Sequence, residues 1–161
     1  MAEKRSIEGW QSTLVLLKPD AVQRRLAGRI LTRFEEKGLQ VRALKLMKVD
    51  RKRAARHYRE HIGKHFYPDL IRFITAGPVV AMVVSGREAV KVVRTLTGPT
   101  FGPDAPAGTL RGDFGSSRRA NLVHASDSPK SARREIALFF RKSEILDYPM
   151  TDMGWVYDRG V

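Results

Sequence analysis

The apolar run TLVLL at residues 13–17 is ended by Lys18-Pro19-Asp20 and predicts a buried strand. Over residues 21–37 the apolar positions are Val22, Leu26, Ile30, Leu31 and Phe34, the spacing of a helix face, closed by Gly38. Gly28 marks an expected break into two helical pieces. Residues 39–48 alternate, with Leu39, Val41, Ala43/Leu44 and Leu46 apolar, and predict a half-exposed strand. Asp50 is placed to cap a helix running to about Glu60, and a second helix is expected over residues 67–75. Gly77-Pro78 punctuates the chain before a buried strand at 79–85. Residues 87–96 then predict a helix with Val90, Val93 and Leu96 on one face. Residues 98–117 are rich in Gly and Pro and predict a loop without regular structure. Such a long loop inside a domain is usually functional or disordered. A short strand is expected at 120–125. Asp127-Ser128-Pro129 opens a last helix with Ser or Asp as cap and Pro in its first turn. The order β-α-β-α-α-β-α-loop-β-α predicts an α/β (α+β) sandwich of ferredoxin-like type, a four-stranded antiparallel sheet covered by helices. One domain is expected over residues 1–161, with a loose leader at 1–12 and a C-terminal tail at 149–161.

Composition narrows the class. In 161 residues, 42% are hydrophobic and 29% charged, enough apolar surface for a core and too much for a disordered chain. The longest apolar run, residues 79–84, is six residues, too short to span a membrane. The first residues carry charges where a signal peptide needs an apolar stretch. The chain has no cysteine, which excludes disulfides, a thiol nucleophile and Cys-based metal sites. These features predict a cytoplasmic protein. Thirty Lys and Arg against seventeen Asp and Glu give a net charge of +13, which draws polyanions: nucleic acid, nucleotide phosphates or an acidic membrane surface. Twenty of the thirty are Arg, whose planar fork suits phosphate.

The chemistry starts from exclusions. The chain has no G-x-x-x-x-G-K-[ST], no G-x-G-x-x-G after a strand and no G-x-S-x-G elbow. Four histidines remain. His57, His61 and His65 are spaced i, i+4, i+8 and could line one helix face. A metal cluster is one reading, but Arg56, Arg59 and Lys64 oppose a cation, and H-Y-R-E-H is not the zincin H-E-x-x-H. A polar, anion-facing surface fits better. His124 ends a predicted strand, follows Asn121, the chain's one Asn, and lies downstream of a Gly/Pro loop with Arg111, Arg118 and Arg119. A neutral imidazole there would be a competent phosphoryl nucleophile, flanked by cations to neutralise the transferred group. Glu135 could reach back to fix its tautomer. A purely structural histidine remains the alternative.

Lys18-Pro19-Asp20, Gly77-Pro78-Val79, Gly108-Thr-Leu-Arg111-Gly-Asp113-Phe114 and Asn121-Leu-Val-His124-Ala-Ser126-Asp127-Ser128 occur in that order and closely resemble the nucleoside diphosphate kinase family over about residues 12–148. The resemblance implies transfer of the γ-phosphate of a nucleoside triphosphate, typically ATP, to a nucleoside diphosphate. It implies Mg²⁺ carried mainly by the nucleotide phosphates, with no protein metal site, and a phosphohistidine at Nδ1 of His124. In that pattern Glu135 holds Nε2, and Ser126 supports Glu135. Lys18, Arg94, Thr100 and Arg111 match phosphate-contacting positions. Asn121 with Lys18 matches the group that reads the sugar 3′-OH, and Phe66 the residue that stacks on the base. Tyr58 lies near the catalytic ring, and His61 corresponds to a phosphate-side histidine of some members. The resemblance implies a homo-oligomer, tetrameric or hexameric; the Gly/Pro loop and the aromatic tail, both expected to need partners, favour a hexamer, and packing against a neighbouring subunit is the plain reading of the tail. Two departures stand out: Ala21 replaces the Gly of K-P-D-G, and Arg119-Ala120 replaces Gly-Arg before the Asn, beside the base site. Two other functions compete: a basic nucleic-acid-binding protein on the same fold, and a catalytically silent scaffold.

Overall fold

The computed structural model of the chain describes residues 7–158. Four strands, β1 (Trp10–Leu17), β2 (Gln40–Lys48), β3 (Pro78–Arg87) and β4 (Val123–Ala125), form one sheet in the order β2-β3-β1-β4. All three pairings are antiparallel, with Leu14 opposite Val83, Leu44 opposite Met82 and Leu16 opposite His124. The helices are α1 (Pro19–Gln23), α2 (Ala27–Glu36), α3 (Arg51–His57), α4 (Tyr67–Ile74), α5 (Ala89–Thr97), α6 (Leu110–Phe114), α7 (Pro129–Phe139) and α8 (Met153–Val156).

The two-residue period of β1 divides the core. Val15 and Leu17 face α2 and α5 through Ile30, Phe34, Ala89 and Val93. Leu14 and Leu16 face the opposite side, where Ala54, Tyr58, Ile71, Ile74 and Phe139 come from α3, α4 and α7. Helices therefore cover both faces of the ferredoxin-like sheet, and its central strands are buried over most of their length.

Several expectations are corrected. Residues 10–12, placed in the leader, pair with β3, and Ser12 Oγ lies 2.7 Å from Ser85 Oγ; residues 1–6 lie outside the described residues. The helical break falls at Arg24–Leu26, not at Gly28. Arg25 is left-handed, the Leu26 N–H bonds back to the Ala21 carbonyl, and Gly28 sits inside α2. In β2 a register shift between Val41 and Ala43 keeps Leu44 and Leu46 on the face of Val41, opposite Met82 and Val80, yet on this edge strand they are 50% and 66% exposed. The helix from Asp50 stops at His57 and continues as a 3₁₀ turn over Arg59–His61.

The Gly/Pro segment 98–117 contains regular structure: a 3₁₀ turn at Gly102–Asp104 and α6, whose N-cap Thr109 accepts from the Gly112 N–H. Its glycines serve close approach: a Cβ on Gly112 would overlap the Pro106 carbonyl oxygen. The tail packs on its own chain. The Tyr157 hydroxyl donates to the Gly38 carbonyl at 3.2 Å, Met153 is buried, and the Tyr157 ring meets Trp10 edge to face at 5.8 Å. Residues 159–161 lie outside the described residues.

Candidate active site

β4 delivers the histidine by alternation. Val123 and Ala125 enter the α2/α5 core, so His124 projects to the other face, against α3 and α7. There α7 begins with Ser128 as N-cap, its hydroxyl accepting from the Ser131 N–H, and Pro129 in the first turn. Glu135 lies on the inner face of α7, buried, with Oε2 2.9 Å from His124 Nε2. The Ser126 hydroxyl donates to the same oxygen at 2.6 Å, and Arg134 Nη2 stands 3.5 Å from Oε1. Burial pushes the Glu135 carboxyl upward, but the bonds from His124 and Ser126 and the charge of His124 outweigh it and hold the group below its ordinary range.

Cations gather beside this pair. Lys18, buried at the end of β1, donates from Nζ to Asn121 Oδ1 at 2.7 Å, and Asn121 Nδ2 donates to the Thr100 carbonyl at 2.8 Å. Burial, then the charge of Arg111, pulls the Lys18 ammonium down to about 8, against a smaller opposing effect of Asp20. Arg111 donates to three carbonyls, those of Asn121, Gly98 and Val123, at 3.1, 2.9 and 2.6 Å. A guanidinium has five N–H donors, so this clamp leaves two for a ligand. Burial, then the charge of Arg94, lowers Arg111 to about 10. Arg94 reaches the same space from α5.

These groups line one cleft of about 920 Å³. Its far end is aromatic and amphipathic, with Phe66, Leu70 and Phe73 on the wall and His61 5.5 Å from Phe66. Arg119 reaches Asp69 on α4 at 2.6 Å, and Arg118 lies over the Phe101 ring at 5.1 Å. Every catalytic or substrate-binding residue expected from the sequence lines this cleft except Ser126, which lies behind it on Glu135. Tyr58 meets the His124 ring only indirectly. It packs on His57 at 4.6 Å, and His57 packs on His124 at 4.4 Å. Burial raises the Tyr58 hydroxyl well above its ordinary value.

Sequence reasoning placed His57 on an anion-facing surface with His61 and His65, and missed its burial against His124. α3 ends at His57, and the three spaced histidines line the one cleft at different depths: His57 is buried, His61 half-buried and His65 exposed. The signal was the pair Ala54 and His57 at i, i+3, a buried stripe. Among the described residues, the group that could hold a metal is His57, His124 and Glu135, not the helix triplet. Hard cations such as Mg²⁺ require several oxygens. Both Glu135 oxygens are already engaged, and the surrounding charges are positive. The donor set therefore does not suit a hard cation held by the protein itself.

The fold and cleft define a class: an α+β protein built to hold phosphate groups beside a carboxylate-anchored histidine. A family model described as nucleoside diphosphate kinase matches residues 11–145. A nucleoside diphosphate kinase of Methanobrevibacter smithii is 52% identical over 148 residues, 92% of this chain and 99% of that protein. One of Rhodopirellula baltica is 55% identical over 140 residues, covering 87% and 92%. Among solved structures, the Halobacterium salinarum nucleoside diphosphate kinase in complex with CDP superposes with a TM-score of 0.90 at 46% identity, covering 92% of this chain and 99% of that one. The Borrelia burgdorferi enzyme, a transition-state mimic with bound vanadate and ADP, gives 0.85 at 38% identity, covering 91% and 96%. The chain belongs to the nucleoside diphosphate kinase family. No described helix is long and apolar enough to cross a membrane.

Proposed function

We propose that this chain moves the γ-phosphate of a nucleoside triphosphate, typically ATP, to a nucleoside diphosphate in two half-reactions through His124, maintaining nucleoside triphosphate pools. The observation that carries this reading is the His124 Nε2–Glu135 Oε2 contact of 2.9 Å on the wall of a cleft lined by Lys18, Arg94 and Arg111. With Nε2 donating to Glu135, Nδ1 keeps its lone pair. That pair forms the N–P bond as the bond from the γ-phosphorus to the diphosphate oxygen breaks, and the nucleoside diphosphate leaves. The second half-reaction reverses the step with a different diphosphate. Glu135 offsets the positive charge that develops on the ring, and Ser126 fixes Glu135.

Arg94, Thr100, His61 and the two remaining N–H groups of Arg111 take the phosphates. Lys18 and Asn121 meet the sugar 3′-OH, and Phe66 supplies a π-face that every base can use. Mg²⁺ enters on the nucleotide and neutralises phosphate charge, and no protein group is assigned to it. The proposed unit is one domain over the whole chain, acting in the cytoplasm as a homo-oligomer, hexameric in preference to tetrameric. Exposed Leu44 and Leu46 and a Trp155 that is 94% exposed support association. Nucleic-acid binding on the same fold has the +13 charge in its favour and nothing further.

Incubation with γ-labelled ATP tests the reading. The wild type is expected to yield an acid-labile, alkali-stable phosphoprotein, and His124→Ala none, with its fold intact by circular dichroism. Turnover by His124→Ala within an order of magnitude of wild type would sink the role of His124.

A further inference from the structure

Lys18-Pro19-Asp20 gives Lys18 to the cleft, but its third residue has no part in the reading above. Asp20 lies in the first turn of α1, and its Oδ2 accepts the N–H of Leu122 at 3.0 Å across 102 residues of sequence. Leu122 is fully buried and left-handed, with φ +72°. That conformation is sterically disfavoured for an L side chain and persists only where its surroundings impose it. The Leu122 carbonyl accepts from the Lys18 backbone N–H at 2.8 Å, so both backbone groups of this residue are held by the Lys18–Asp20 segment. Arg111 braces the carbonyls on either side, at Asn121 and Val123.

The constraint has a geometric purpose. In an uninterrupted strand, residues 121 and 124 would project to opposite faces, because side chains alternate with period two. Here Asn121 and His124 line the same cleft. The left-handed residue between them absorbs the change of phase. We propose that Asp20 is a positioning residue: its carboxylate holds Leu122 in the left-handed turn that brings Asn121 and His124 to one site. The proposal rests on His124 as the phosphate acceptor.

Asp20 also lies close enough to Lys18 to favour its charged form. The test must therefore separate the hydrogen bond from the charge. Asp20→Asn keeps a carbonyl oxygen for the Leu122 N–H and removes the charge, whereas Asp20→Ala removes both. In Asp20→Ala, kcat and the single-turnover rate of His124 labelling are expected to fall about tenfold to a hundredfold, the usual effect of misplaced reacting groups. Amide exchange at Leu122 is expected to quicken. Asp20→Asn is expected to restore most of the rate and the slow exchange. Wild-type kcat in Asp20→Ala would overturn the proposal, and so would equal damage in the two variants, which would transfer the effect to the charge beside Lys18. Free exchange of the Leu122 amide in the wild-type protein would overturn it without recourse to any variant. Absence of labelling in the wild type would count against His124 instead, and the exchange comparison would still decide the role of Asp20.

Discussion

The rings of His57 and His124 meet edge to face with centroids 4.4 Å apart, and neither nitrogen of His57 has a hydrogen-bond partner among the described residues. A buried imidazole without partners is held neutral. Burial, then the neighbouring His124, lowers its pKa to about 2. His57 thus walls the His124 ring with a group that brings no charge of its own at physiological pH.

That burial links stability to pH. In the unfolded chain His57 takes up a proton near its ordinary value of about 6.5, and in the native protein it does not. The unfolded state therefore binds more protons as pH falls below that value, and stability declines, by up to roughly 1.4 kcal/mol per pH unit from this residue. Denaturant titrations between pH 7 and pH 5 are expected to show this slope, and His57→Gln to flatten it. A variant with the same slope as wild type would show that His57 is not buried neutral.

Glu135→Gln keeps the shape of the anchor and removes its charge. Its expected effect is a fall in kcat of about tenfold to a hundredfold, typical of losing a carboxylate that orients a reacting histidine, with little change in KM. Ser126→Ala, which removes only the 2.6 Å support of Oε2, is expected to lose less. Rapid-quench measurement of His124 phosphorylation checks both. An unchanged rate in Glu135→Gln would leave the carboxylate without a catalytic part.

What the sequence made legible follows from which signals are local. The pattern of Asn121, His124 and the Ser128-Pro129 cap lies in one short stretch, where strand alternation and helix capping act directly, and it marked His124 and Glu135 as candidates, which the structure brings within 2.9 Å. The sandwich followed from element order. Three features were hidden because they depend on contacts distant in sequence. Leu44 and Leu46 looked buried because alternation assigns them a face, that of Val41, but cannot show how far packing reaches along an edge strand. α6 was concealed by glycines that read as loop, although Gly112 is required by the Pro106 carbonyl. His57 was grouped with His61 and His65 by a spacing that assumes a continuous helix, and α3 ends at His57.

Lys18 gives the cleft an alkaline limit. Its ammonium, pulled down to about 8 by burial and by Arg111, loses its charge in the free protein as pH rises through that value. The cleft then holds one positive charge fewer for phosphate. kcat/KM for ADP is expected to decline above pH 8, and Lys18→Arg, whose guanidinium stays charged, to remove that limb even if its overall rate is lower. A profile that stays level through pH 9 in the wild type would contradict the lowered Lys18 value.

The surplus positive charge makes its own prediction at the cleft mouth. Arg118 and Arg119 are 68% and 80% exposed, and each stands opposite a carboxylate, Asp104 at 3.9 Å and Asp69 at 2.6 Å. Exposed pairs of this kind contribute little to stability, so the role of these guanidinium groups must be sought in the field they project toward an approaching nucleotide. If they steer, kcat/KM for ADP falls as salt rises, because the screening length shrinks from about 30 Å at 0.01 M to about 8 Å at 0.15 M. kcat changes little, since steering acts before binding. Charge reversal at both positions sets like charges against Asp104 and Asp69 and is expected to lower kcat/KM at low salt to the value the wild type shows at high salt, with a shallower salt slope. Polynucleotide binding measured in the same salt series supplies the contrast, since contacts with a nucleic-acid backbone weaken steeply with salt. A level kcat/KM beside steeply salt-dependent DNA binding would assign the surplus to nucleic acid and leave steering without support.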